Sequence, residues 1–165
     1  MKTERYYIEP IGFVEETTSY DIKKPSKTTE LSQRKKELKE YRGRINSCSS
    51  IIRLLPEYEP LLDGIDQFSH VVILFWPHLI KDEERKRIKK VHPRGWKDIP
   101  AHGIFATRSP VRPNPVLMTT VELDKIDGLE LTIKGFDGYK GTPVIDIKPD
   151  TTNSVKTPGW LDLDE

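Results

Sequence analysis

Gly103-Ile-Phe-Ala-Thr-Arg108-Ser-Pro-Val-Arg112-Pro-Asn114-Pro115 and, further on, Gly135-Phe-Asp137-Gly138-Tyr139-Lys140-Gly141-Thr-Pro-Val-Ile-Asp146-Ile-Lys148-Pro149 are the stretches the rest of the chain serves. Between these loops lie two strand-like runs, residues 116–123 and 129–133. Pro110, Pro113 and Pro115 fix φ and remove three backbone donors, so the loop around Arg108, Arg112 and Asn114 has few conformations open to it. A stiff loop holding two guanidinium groups and an amide suits recognition of a planar anion or carboxylate. The plain alternative is a hairpin loop with surface arginines. Short strands, turn-rich connections and no regular strand–helix alternation predict a mainly β chain, a β-barrel with one or two short peripheral helices.

Outward from this stretch, residues 71–76 (Val-Val-Ile-Leu-Phe-Trp) read as the most buried strand, apolar on both faces. Further strands are expected over residues 5–14, with a bend at Pro10-Ile11-Gly12, and over 49–55, 104–106 and 144–147. Residues 31–41 are charged and rich in good helix formers, which predicts a short solvated helix. Residues 82–90 read as a short helix or a mobile loop, and 91–102 as no element. The barrel is expected to occupy residues 1–150, with 151–165 as a polar docking tail carrying Trp160 and Leu161.

The 165 residues are about one domain, large enough to bury roughly 70% of the unfolded surface. Lys+Arg 27 against Asp+Glu 26 leaves a net charge of +1, so bulk charge does not announce a nucleic-acid binder and the distribution has to be read instead. The single Cys48 cannot form an internal disulfide, which favours the cytoplasm, and is expected as a small buried hydrophobe. No apolar run is long enough to span a bilayer. Glycine-rich dinucleotide and P-loop fingerprints are absent, and His70, His78, His92 and His102 lack metal-ligand spacing, so no metal is expected.

Three constellations carry alternatives. Asp137 to Gly141 is either a hairpin turn or a backbone nest that lets a ligand approach closely. Asp146 and Lys148 leave one face of their strand, either as a weak solvated ion pair or as an acid and base facing a cleft. Two basic clusters (Arg34, Lys35, Lys36, Lys39, Arg42, Arg44 and Lys81, Arg85, Lys86, Arg87, Lys89, Lys90, Arg94) are either solvated faces or phosphate-backbone contacts.

The Phe105–Pro115 block together with Gly141-Thr-Pro-Val-Ile-Asp-Ile-Lys-Pro closely resembles the two signature blocks of the TrmO (TsaA-like) family; Pro10-Ile11-Gly12 and Phe68-Ser-His-Val fall in the same order. The resemblance covers most of the chain. It implies a single-sheeted β-barrel, a homodimer, and an S-adenosylmethionine-dependent methyltransferase acting on N6 of threonylcarbamoyladenosine beside the tRNA anticodon. It would place the cofactor among Pro25, Ser26, Lys27, His78, Leu79, Arg108, Met118 and the turn of Asp137, Gly138, Tyr139, Lys140 and Gly141. The chain departs from the family pattern at Ser26-Lys27 (usually Arg-Gln), at Leu117 (usually Gly), at Lys140 (often acidic) and at Asp150 (usually Tyr). On this reading Arg108 grips the donor's carboxylate or the neighbouring loop backbone, while Met118 and Phe105 supply apolar packing. Arg112, Asn114 and Lys148 would contact substrate, with Arg112, Tyr139 and Trp76 as stacking candidates. Asp146, His78 or water would take the acceptor's proton. The same barrel acting on another RNA or a small metabolite, or a non-catalytic S-adenosylmethionine-binding module, are the alternatives.

Overall fold

The computed structural model describes residues 6–19, 31–152 and 156–158. Six strands form a closed antiparallel barrel: β1 (Gly12–Thr17), β2 (Ser49–Leu54), β3 (His70–Phe75), β6 (Leu117–Asp127), β7 (Glu130–Lys134) and β8 (Pro143–Pro149). Their order around the barrel is β1-β2-β7-β6-β3-β8. Two further strands of two residues each, β4 (Lys90–Val91) and β5 (His102–Gly103), pair outside it. Among the described residues the α-helices are α1 (Leu31–Asn46), between β1 and β2, and α2 (Asp82–Arg87), after β3.

Closure rests on a short seam. β1 meets β8 through Gly12↔Val144 and Phe13↔Pro143, and because Pro143 has no N–H, flanking bonds extend the ladder. Ile11 N donates to Val144 O at 2.8 Å, Val14 N to Thr142 O at 3.0 Å and Gly141 N to Val14 O at 2.7 Å. A Cβ on Gly12 would stand 2.4 Å from the Arg53 carbonyl, so only glycine permits β1 to approach β2 this closely. Extra residues in β1 between Val14 and Glu16, in β8 between Val144 and Asp146, and in β6 between Leu123 and Lys125 add the bends that closure requires.

The interior is filled by alternate residues of every strand: Val14, Ile52, Leu54, Val71, Ile73, Phe75, Val121, Leu131, Ile133 and Val144, capped by Phe136 edge-on to Phe75 at 5.0 Å. β3 is therefore one-sided, contrary to the two-faced expectation. Val72 and Leu74 point outward and are half-buried between β6 and β8. Cys48 is buried, as expected.

Several sequence expectations shift. Residues 104–106, expected as a strand, form a 3-10 turn, with the Thr107 amide and hydroxyl both donating to Ile104 O. β1 begins at Gly12, with the described residues 6–11 ahead of it outside any strand, and α1 runs five residues past Tyr41. That extra length follows from the inner stripe Arg34, Leu38, Tyr41, Ile45, spaced i, i+4, i+7, i+11, which packs on the protein instead of facing water. Beyond β8, Lys156 is tied to the barrel by Ser69 N donating to its carbonyl (3.1 Å) and by its ammonium donating to Asp66 O (2.8 Å).

Candidate ligand cleft

The proline-rich loop and the turn around Asp137 and Gly138 come together. A cleft of about 850 Å³ is bounded by the proline-rich loop (Thr107, Arg108, Pro110, Arg112), the exit of β3 (Pro77, His78, Leu79), the start of β6 (Leu117, Met118, Thr119) and the turn after β7 (Asp137, Gly138, Tyr139). Strand ends at one mouth of a small barrel make this hollow, because the interior itself is full.

Each wall is held by an identifiable interaction. Arg108 Nη2 donates to Met118 O at 3.0 Å and Arg112 Nη1 to Thr107 O at 3.0 Å, so both guanidinium groups brace the loop as well as line the cleft. The Arg112 guanidinium also lies 5.6 Å from the centre of the Phe105 ring. At the β3 exit, Arg85 of α2 is buried and donates through Nη2 to Pro77 O and Ile80 O, both at 2.7 Å, while covering Trp76 at 5.5 Å. It therefore sets the path of His78 and Leu79. The turn after β7 is fixed from beneath by three buried hydroxyls. Ser50 Oγ donates to Thr17 Oγ1 (2.7 Å), and Ser19 Oγ donates to Gly138 O (2.9 Å). With Ser19's proton so used, Thr17 is the donor across the 2.9 Å contact between them. A Cβ on Gly138 would fall 2.1 Å from the Phe136 ring, so this glycine is what lets the turn lie on the core.

From the side, Tyr41 of α1 donates its hydroxyl to Asp137, at 3.1 and 3.2 Å from the two carboxylate oxygens. Partial burial, followed by the charge of Asp137, pushes the Tyr41 phenol up to about 12, so it stays a neutral donor.

Of the predicted site residues, His78, Leu79, Arg108, Arg112, Met118, Asp137, Gly138 and Tyr139 all line the cleft. Lys140 and Gly141 belong to the same turn but not to the lining, and a Cβ on Gly141 would stand 4.0 Å from His78 Nε2. Asn114 is exposed on the proline-rich loop and does not line the cleft. Pro25, Ser26 and Lys27 lie outside the described residues.

Asp146 and Lys148 project from the outer face of β8, opposite Leu74 and Val72, and pair with each other at 2.7 Å. Strand alternation sends them away from the hollow, so the solvated ion pair is the arrangement found and Asp146 does not face the cleft. Phe105 is 80% exposed and Trp76 is engaged by Arg85, so neither packs into the cleft. Leu117, where the family pattern has glycine, adds a half-buried apolar wall. Sequence reasoning missed the supports Ser19, Thr17, Ser50, Tyr41 and Arg85, whose partners are distant in the chain or were masked by a run of charges.

Both basic clusters lose a member to the interior. Arg34 is buried, pairs with Asp98 at 2.7 Å and lies 4.7 Å from the Trp96 ring centre, and Arg85 is buried as described.

Comparison with known proteins matches this cleft-bearing barrel to one family. Residues 32–154 match the model of the tRNA-methyltransferase O N-terminal domain. The chain belongs to the TrmO family.

Among curated relatives of this TrmO-family chain, a probable S-adenosyl-L-methionine-binding protein of Methanocaldococcus jannaschii is 34% identical over 143 residues, covering 87% of this chain and 90% of that protein. The tRNA (adenine(37)-N6)-methyltransferase of Rattus norvegicus is 36% identical over 149 residues, which are 90% of this chain but 32% of the rat protein. The crystal structure of TrmO from Pseudomonas aeruginosa superposes with a TM-score of 0.61 at 25% identity, covering 90% of this chain and 57% of that one. The chain thus spans less than two thirds of the solved structure. No helix among the described residues is long and apolar enough to cross a membrane.

Proposed function

We propose that the chain is an S-adenosylmethionine-dependent methyltransferase that methylates N6 of threonylcarbamoyladenosine at tRNA position 37, and that it does so as a cytoplasmic homodimer. The observation that carries this reading is the convergence of Arg108, Asp137 and the Gly138 turn on one hollow of about 850 Å³, within the usual range for a cofactor-sized ligand. It is supported by relatives whose names specify S-adenosyl-L-methionine binding or methylation of tRNA adenine.

The lining fits such a donor. It joins two guanidinium groups for a carboxylate, one carboxylate for an ammonium or ribose hydroxyls, and apolar walls from Leu79, Leu117 and Met118 for a purine. When bound, the donor supplies a methyl group already activated on a sulfonium. The protein's contribution is positioning, which can be worth about 7–11 kcal/mol.

Arg108 keeps one arm on Met118 O and presents the rest of its fork to the cleft. Asp137, oriented by the Tyr41 hydroxyl, offers the remaining lone pairs of its carboxylate. The apolar side chains exclude water from the reacting groups. His78 lines the cleft and, unlike the Lys148-paired Asp146, stands where it or a water it holds can take the acceptor's proton. Tyr139, exposed at the rim, offers a ring to a flipped base. The exposed apolar side chains of Leu79 and Met118 at the same rim give a second copy a surface to cover.

The test supplies labelled donor with threonylcarbamoylated tRNA, with unmodified tRNA and with RNA-free extract. Label confined to the first supports the proposal. Label in unmodified RNA or in small molecules assigns another acceptor, and binding without transfer makes the chain a donor-binding module.

A further inference from the structure

Once Arg34 is removed to the interior, the cations left on α1 are not spread evenly. Lys35, Lys39, Arg42 and Asn46 follow i, i+4, i+7, i+11 and form a single stripe beside the inner one. With Leu38, Gly43 and Arg94 they line a shallow hollow of about 480 Å³ that has no carboxylate in its lining. Among the described residues, none of these four cations is paired with an acid. Like charges one turn apart oppose helix formation, so an unrelieved stripe is a feature the fold alone would not select.

Arg94 supplies an independent sign. It is the single non-glycine residue with positive φ among the described residues, at 57°, next to Gly95 at 74°. A long side chain in the left-handed region is strained and persists only where its surroundings enforce it. Here Trp96 does so: it is buried under Arg34 at 4.7 Å and carries the Arg94 guanidinium at 5.8 Å. A fourth cation is thereby held facing the helical three across the hollow. Such strain is found where a group is organised in advance for a ligand.

We propose that this hollow between α1 and the Arg94 turn is a docking site for the phosphodiester backbone of RNA, separate from the methyl-donor cleft. Successive cations one helical turn apart, about 5.4 Å, match the spacing of neighbouring phosphates along a strand. Lysine and arginine that meet phosphates position a nucleic acid without reading its bases. The same helix holds Asp137 through Tyr41, so a bound RNA and the cleft share one rigid element. The choice of RNA rests on the function proposed above; the anion site rests on the hollow.

The experiment measures binding of a tRNA anticodon stem-loop against salt concentration for the wild-type protein and three variants. These are K39Q/R42Q, R94Q and, on exposed α2 positions, K86Q/R87Q. S-adenosylmethionine affinity is measured in parallel. The proposal expects K39Q/R42Q to bind the RNA about tenfold more weakly, with a log–log salt slope smaller by about 1.4, and R94Q to lose about half as much slope. K86Q/R87Q and all donor affinities should stay within about twofold of wild type. Absence of RNA binding by the wild-type protein, unchanged slopes, or equal losses in K86Q/R87Q would overturn it. Loss of slope in K39Q/R42Q and R94Q without donor binding by any protein would keep this site and remove the methyltransferase reading instead.

Discussion

The Tyr41 hydroxyl and the Asp137 carboxylate, 96 residues apart in the chain, meet at 3.1 and 3.2 Å and join the helix outside the barrel to the turn at its mouth. The contact orients an acid that lines the cleft, and partial burial together with the charge of that acid raises the phenol to about 12. Since the folded pKa lies above the unfolded value of about 10, the stabilisation is fully present below pH 10 and is lost as pH rises through about 12. Subtracting the phenolate absorbance titration of Tyr41→Phe from that of the wild type should leave one transition near 12. A difference transition near 10 would mean the contact does not form. The same variant should weaken S-adenosylmethionine several-fold, by freeing Asp137 to rotate.

Arg85→Met tests the brace behind His78 and Leu79. The substitution keeps the stem's bulk but leaves Pro77 O and Ile80 O without their charged donor. With hydrogen bonds to charged groups worth about 1.5–3 kcal/mol each and the relief of burying no cation offsetting part of that, unfolding in urea should show a loss of about 2–4 kcal/mol. Lys86→Met, one residue along and exposed, should change stability by less than about 0.5 kcal/mol.

Two glycines should respond in opposite directions. Gly138→Ala drives a methyl group into the ring of the fully buried Phe136, and overpacking of this kind costs about 1–3 kcal/mol. Gly43→Ala lies in the helix interior of α1 with nothing within 4 Å of the added carbon, and should gain about 0.5–1 kcal/mol. Thermal melts of the two variants decide both signs.

What the sequence revealed and what it hid divide along a physical line. Short runs of strand-forming residues over β2, β7 and β8 and the turn residues between strands exposed the barrel, because both signals are local. The proline-rich loop and the Asp137 turn were legible as a candidate site for the same reason: stiffness and glycine content are written in adjacent residues. Ile104-Phe-Ala was misread because three apolar residues carry no period, and their 3-10 turn depends on the Thr107 bonds to Ile104 O. β3 looked two-faced because its outer residues Val72 and Leu74 are as apolar as its inner ones.

Arg34 and Arg85 could not be told from their neighbours by charge. What separates them is a tryptophan from another segment, Trp96 for one and Trp76 for the other. Tyr41, Ser19 and Ser50 carried no signal at all, since each matters through a partner set by the closed barrel.

The most direct test of the central claim, that one hollow gathers a donor between the arginine loop and the glycine turn, is calorimetric titration of S-adenosylmethionine into the wild-type protein, Arg108→Ala and Arg87→Ala. The account predicts one saturable site per chain in the wild type, the same affinity in the exposed α2 variant Arg87→Ala, and affinity lower by about tenfold to a hundredfold in Arg108→Ala, the loss of one charge-assisted bond. No binding by the wild type, or equal affinities in all three, would contradict it.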